Sequence, residues 1–285
     1  MKLLVVNADD FGLSPAVSRG IVRAHREGLV TSASVITNLP DFAGTLERLR
    51  ECPELGVGVH LNLTCGPPLA PDSALAGVSG ELPPPRTLLA RLAVGRIRSA
   101  DIESELTAQV AKLVGVGIEL DHLDSHHNVH LHPWVRAAVE RVAERFGIRW
   151  VRFRGQMPRL APRLGGSTAA RLRRLARHAI ARLACRLAAT TWEGSERRAA
   201  IFGAPQIEGV SAAAWLRAAL AAAGEGVTEI ACHPGTADRT LLERDPATRG
   251  REEELGALLD PALRSLALAR GFTLTHYGRL RDGPR

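Results

Sequence analysis

Residues 1–12, Met1-Lys2-Leu3-Leu4-Val5-Val6-Asn7-Ala8-Asp9-Asp10-Phe11-Gly12, decide how the rest of the chain is read. The apolar run rich in Leu and Val has the pattern of a buried strand. It ends in two adjacent carboxylates, and the turn residue Gly12 follows. Adjacent strand residues point to opposite faces, so Asp9 and Asp10 are expected to do different jobs. Acids where a core strand surfaces are costly unless a metal ion or a catalytic site stabilises them. The ordinary alternative is a cap or turn, where Asp is common.

Outward from this strand, apolar runs and amphipathic segments alternate. Ser14-Pro15 starts a helix that stops near Gly28. Further strands are expected at 31–36, 56–62, 118–125, 148–153, 199–202, 227–232 and 272–276. Helices are expected at 41–50, 101–114, 133–146, 168–190 and 211–223, with one or two more in 251–269. The Pro-, Gly- and Ser-rich stretch 67–85 is expected to be a long loop. Such alternation predicts parallel strands joined by right-handed crossovers. Seven or eight units in this length favour an α/β fold of the (β/α) barrel type, complete or distorted, over an open doubly wound sheet. No GxGxxG follows the first strand, which lowers the prospect of a dinucleotide fold. The 285 residues are expected to form a single domain, 1–285, with 67–85 and the Arg-rich segment 159–190 as insertions.

The composition restricts function. Hydrophobic residues make up 45% and aromatics only 4%, so stacking platforms for bases or sugars are scarce. The formal charge is +7, and eight arginines with no acid lie between Arg159 and Arg186. That run suits an anionic polymer or lipid, or else is a solvated helix face. Cys52, Cys65, Cys185 and Cys232 form no CxxC pair, and free thiols fit a reducing compartment. With no signal-peptide pattern and no membrane-length apolar run, a cytoplasmic protein is expected.

The unusual polar residues occupy equivalent places. Asp9-Asp10, His60, the stretch from Asp124 to His132 and His233 all fall at C-terminal ends of expected strands, the face where barrel active sites are built. His122-Leu123-Asp124-Ser125-His126-His127-Asn128-Val129-His130-Leu131-His132 packs five histidines and Asp124 into one short stretch. By parity, Ile118, Leu120, His122, Asp124 and His126 share one face, which makes His126 the best-placed ligand. Two imidazoles and one carboxylate make a metal site with open positions, and His60, His126 and one of the Asp pair supply them. Such a site lowers the pKa of a bound water and polarises a carbonyl. The other Asp is then free to act as base, and His233 can protonate a leaving group.

Asn7-Ala8-Asp9-Asp10-Phe11-Gly12-Leu13-Ser14, Gly58-Val59-His60-Leu61-Asn62-Leu63-Thr64, the stretch from His122 to His130 and Glu229-Ile230-Ala231-Cys232-His233-Pro234-Gly235 together resemble the YdjC-like carbohydrate deacetylase family. That family includes chitooligosaccharide deacetylases and hopanoid-associated HpnK-type proteins. The resemblance implies a deformed (β/α) barrel, one divalent metal ion (Mg, Zn, Mn or Fe) and removal of acetyl groups from N-acetylated sugars or oligosaccharides. It implies His60, His126 and Asp10 as metal ligands, Asp9 as base, His233 as acid and Arg152 as the group that orients the base. The two Asp roles are interchangeable at this level. Asp124, His127 and Asn62 are expected to contact the acetylated sugar. Asn128 stands where many relatives have a third consecutive histidine, which implies no essential ligand there. A homo-oligomer and a glycosidase on a similar barrel are compatible with the same sequence; a nucleic-acid partner is not clearly indicated.

Overall fold

The computed structural model describes residues 1–71, 73–152, 199–203, 210–245, 248 and 250–280. The expected helix 168–190 and the Arg-rich segment 159–190 lie outside the described residues. The elements are β1 (Lys2–Phe11), α1 (Pro15–Glu27), β2 (Ser32–Val35), α2 (Phe42–Arg50), β3 (Gly56–Leu61), α3 (Pro85–Ala93), α4 (Ser99–Val114), β4 (His122–Ser125), α5 (Pro133–Arg145) and β5 (Trp150–Val151). They continue with β6 (Ala199–Gly203), α6 (Ala212–Ala222), β7 (Gly226–Cys232), α7 (Arg239–Arg244), α8 (Arg251–Leu259), α9 (Pro261–Ala269) and β8 (Phe272–Leu274). Two 3₁₀ segments, His126–Leu131 and Tyr277–Leu280, follow β4 and β8.

The strands form one parallel sheet in the order β5-β4-β3-β2-β1-β7-β6, and β8 also pairs with β1. β1 is its axis, fully buried from Leu4 to Phe11. One edge of β1 runs along β7 from Lys2 to Ala8. The other edge pairs with β8 over Lys2–Leu4 and then with β2 from Asn7 onward. Because β8 occupies only the lower part of an edge it shares with β2, the regular barrel order is broken. The fold is a distorted (β/α) barrel, and the open doubly wound sheet is not what forms. The sheet nonetheless curls strongly. Arg152, just beyond β5, reaches Asp9 on β1 and Glu229 on β7.

Local sequence accounts for the elements around β1. Ser14 caps α1 by accepting from Val17 N, with Pro15 in the first turn, an arrangement worth about 1 kcal/mol. Val17, Ile21 and Ala24 are buried beneath it. Gly20 and Gly235 lie so close that a Cβ on Gly20 would stand 2.7 Å from the Gly235 Cα. Their small size lets α1 pack directly on the turn after β7.

Several expectations need correction. The fourth strand begins at His122, not 118, because Ile118 and Leu120 are only half-buried and the chain there is irregular. The last strand ends at Leu274 and gives way to the 3₁₀ turn that carries Tyr277. Helices α3 and α7 were not anticipated. α3 starts with a proline and buries only Leu88 and Leu92, one turn apart. α7 is six residues long, too short for periodicity to show.

His130 fastens the end of β4 to β5. Its Nδ1 pairs with Ser125 Oγ, and its Nε2 donates to Arg152 O at 2.6 Å. Both contacts are made by the neutral ring with the proton on Nε2, and burial pushes the imidazole down to about 4. The unfolded value is about 6.5. Above that pH the ring is neutral in both states. As pH falls from about 6.5 to 4, only the unfolded chain takes up the proton, so stability is lost. The urea midpoint should therefore fall across this window. His130→Gln should be less stable at pH 7 but show a shallower fall, and an unchanged slope would exclude His130 as its source.

Candidate active site

Asp9 and Asp10 end β1, but they do not point to opposite faces. The register of β1 against β2 shifts between Ala8 and Phe11, and Asp10 has φ 70°. A left-handed residue in a strand breaks the alternation of side chains. Both carboxylates consequently face the barrel interior, where they meet different partners.

Asp10 Oδ1 lies 3.2 Å from His60 Nε2 and 2.9 Å from His126 Nδ1. Its Oδ2 accepts from Arg251 Nη2 at 2.7 Å. Burial would raise the Asp10 carboxyl, but the charges of His126 and Arg251 and the hydrogen bonds from His126 and His60 hold it well below the usual carboxylate range. Asp9 is gripped by Arg152 through both oxygens, at 2.6 Å each, and Asn7 Nδ2 donates to its Oδ1 at 2.9 Å.

His60 on β3 is aimed from behind. Its Nδ1 pairs with Asp124 Oδ1 at 2.7 Å, and Ser34 Oγ donates to Asp124 Oδ2 at 2.8 Å. A carboxylate behind an imidazole fixes the tautomer and ring direction, as second partners do at metal sites. Burial alone would push His60 down, but the Asp124 charge and the hydrogen bonds to Asp10 and Asp124 push it up to about 10. Asp124 is held well below the carboxylate range: burial opposes this, and the Arg152 and His60 charges prevail.

His126 opens the 3₁₀ segment after β4, and His127 and Asn128 both adopt positive φ. This abrupt reversal turns the His126 ring into the interior and leaves His127 exposed, with its Nδ1 2.9 Å from Thr64 Oγ1. His233, just past β7, is the partly open member of the set, with 37% side-chain exposure. Its Nε2 lies 3.7 Å from Asp9 Oδ2 and its Nδ1 4.0 Å from Glu254 Oε2. Glu254 also accepts from the His233 backbone N at 2.6 Å, and burial pushes its own pKa up.

The residues present fit a divalent cation. Ligand atoms of Asp10, His60 and His126 lie within 4.8 Å of one another. His126 Nε2 is buried without a hydrogen-bond partner. The field at His60 favours positive charge, because Asp124, Asp10 and Asp9 all act on it, and among the described residues the guanidinium partners of these three are Arg152 and Arg251. The carboxylate and imidazole donors suit zinc, iron or manganese and, less well, magnesium. Asp9, His60 and Asp124 also cluster, but Asp9 and Asp124 are already committed to Arg152.

Two expected substrate contacts stand elsewhere. Asp124 is wholly buried behind His60, and Asn62 is wholly buried in the loop after β3. Asn62 donates to Asn38 Oδ1 and Cys65 O and accepts from Thr64 N and Cys65 N, so every polar group of its side chain shapes that loop. Sequence reading missed Arg251 and Glu254. One turn apart on α8, they reach Asp10 and His233 respectively. Their only sequence signal, the charged run Arg251-Glu252-Glu253-Glu254, has the look of a solvated helix start. The glycosidase reading needs a protonated carboxylic acid as proton donor. Neither Asp9, chelated by Arg152, nor Asp10, held ionised, meets that need.

Known proteins resemble this chain over its whole length or about half of it. A carbohydrate deacetylase of Geobacillus stearothermophilus is 33% identical over 277 residues, 97% of either chain. A chitooligosaccharide deacetylase of Yersinia enterocolitica is 41% identical over 143 residues, covering 50% of this chain and 56% of the relative. A crystal structure from Enterococcus faecalis V583, described in connection with cellobiose-phosphate cleavage, superposes with a TM-score of 0.76 at 24% identity over 98% of both chains, which shows the shared fold. Residues 3–269 match the YdjC-like protein family, and with the full-length similarity to the Geobacillus chain this establishes that the protein belongs to that family.

Proposed function

We propose that the protein is a metal-dependent carbohydrate deacetylase that hydrolyses the acetamide of an N-acetylated sugar or oligosaccharide of the N-acetylglucosamine type. The carrying observation is the convergence of Asp10, His60 and His126 beside an Arg-chelated Asp9 and the half-open His233. The names of the full-length and half-length relatives support the substrate class. A divalent cation held by Asp10, His60 and His126 would supply Lewis acidity toward the acetyl carbonyl and acidify water.

The protein's own residues then divide the proton transfers. Asp9, aimed by Arg152, takes a proton from the attacking water. His233 lies within 3.7 Å of Asp9 and is open to the outside, placed to give a proton to the departing amine nitrogen. Acetate and the free amine are the products. Asp124 keeps His60 turned toward Asp10, and Arg251 keeps Asp10 turned toward both histidines. His127, exposed and held by the buried Thr64, stands where the sugar would approach. Among the described residues no helix is long and apolar enough to cross a membrane.

Stripping divalent ions from the purified protein should abolish acetate release from N-acetylated sugars, and adding back single metals should restore it. Full activity after thorough chelation would sink the metal-dependent reading. Asp9→Asn should lower kcat by about 10²–10⁴ while the bound-metal stoichiometry stays at the wild-type level, and His233→Ala should behave likewise. His60→Ala and His126→Ala should lose metal and activity together. If Asp9→Asn also loses the metal, Asp9 is a ligand and its assignment as base is wrong.

A further inference from the structure

Beneath the site, the Asp9–Arg152 pair continues into the barrel floor. Arg152 Nε donates to Glu229 Oε1 at 2.7 Å, and the Tyr277 hydroxyl donates to Glu229 Oε2 at 2.5 Å. Glu229 sits in mid-β7, in register with Val5 and Ile201, and is fully buried. Tyr277 belongs to the turn after β8 and is 3% exposed. Its ring is clamped between His122, at 4.9 Å between centroids, and Trp150, at 5.0 Å.

We propose that Glu229 and Tyr277 are positioning residues for the Asp9 base. Tyr277 fixes Glu229, Glu229 fixes the guanidinium of Arg152, and Arg152 fixes both oxygens of Asp9. The inference rests on the reading of Asp9 as base. Neither Glu229 nor Tyr277 reaches the open side, so each can influence the reaction only through Arg152.

The physical need for these two residues follows from how Arg152 is mounted. It emerges from β5, a strand of two residues, on a long side chain with little intrinsic preference for direction. Its head must be aimed by acceptors. Asp9 takes Nη1 and Nη2, Asp124 lies 2.8 Å from Nη2, and Glu229 takes Nε. Glu229 Oε1 also lies 2.7 Å from Nη2, so Glu229 occupies the Nε–Nη2 edge, which adjoins the Nη1–Nη2 edge that faces Asp9. It therefore fixes the direction of the fork from the wall of the barrel. Glu229 in turn would keep one buried oxygen unsatisfied without the Tyr277 hydroxyl, a costly state for a charged group. The tilted ring contacts with His122 and Trp150 help to hold that hydroxyl toward Glu229.

The test uses Tyr277→Phe, which keeps the ring stack and removes only the hydroxyl. With full-length, metal-loaded protein, it should lower kcat about tenfold, with KM within about twofold and metal stoichiometry unchanged. In the Asp9→Asn background, the same substitution should lower kcat no further. Equal losses in both backgrounds, or an unchanged kcat in Tyr277→Phe alone, would overturn the proposal. Glu229→Gln, which keeps an acceptor for Arg152 and a partner for Tyr277, should retain more activity than Glu229→Leu; the reverse order would also count against it. A parallel urea-unfolding cycle on metal-free protein, pairing Tyr277→Phe with Asp9→Asn, should show non-additive midpoint shifts, and additive shifts would break the linkage. Wild-type protein inactive on every N-acetylated sugar would overturn the deacetylase reading instead, and the urea cycle still decides whether Tyr277 and Asp9 are linked.

Discussion

The interior of this barrel depends on one buried guanidinium. Arg152 meets Asp9 from β1, Asp124 from β4 and Glu229 from β7, all within 2.8 Å. Moving any one of these charges out of water costs several kcal/mol, and an unpaired buried charge is among the most destabilising defects known. Here each charge is the remedy for another. The same contacts draw β5 toward β7 across the curl of the sheet, so the electrostatics of the site and the closure of the fold are one interaction. Asp124 then passes the restraint to His60, and Asp9 passes it to the space beside His233.

A second constraint is the backbone of Asp10. A non-glycine residue at positive φ costs on the order of 1–3 kcal/mol. The register shift against β2 and the contacts with His60, His126 and Arg251 hold it there. The strain has a clear consequence: consecutive residues of one strand both enter the barrel, and they do so with separate partners. Asp10 lies with the imidazoles and Asp9 with the guanidinium. The division of labour between two identical side chains is thus imposed by partners, through the positive charge each is given to face.

α8 extends this arrangement from outside the sheet. Arg251 and Glu254, three residues apart, project from one side of its first turn, one to Asp10 and the other to the backbone of His233. A short helix therefore braces both a candidate ligand and the candidate acid. The close approach of Gly20 to Gly235 lets α1 support the same turn from the other flank.

Much of this was legible in the chain itself. The alternation of apolar runs and amphipathic segments specifies parallel strands and helices because those periods are properties of local geometry. Polar residues at strand ends, Asp9-Asp10, His60, His126 and His233, mark one face because parallel strands bring their C-terminal ends together. What failed was parity where the backbone departs from regular strand. The bulge at Asp10 and the left-handed His127 and Asn128 turn side chains in ways no period of two foresees. Sequence alone also left Asp124 and Asn62 as substrate contacts and passed over Glu229, Tyr277, Arg251 and Glu254. Which polar residue faces the open side and which stands behind it depends on contacts between positions far apart in the chain. The sequence by itself determined the layer architecture and the residue types gathered at one end of the barrel; only the tertiary structure decided their order of depth, because burial and pairing of charge are settled by packing.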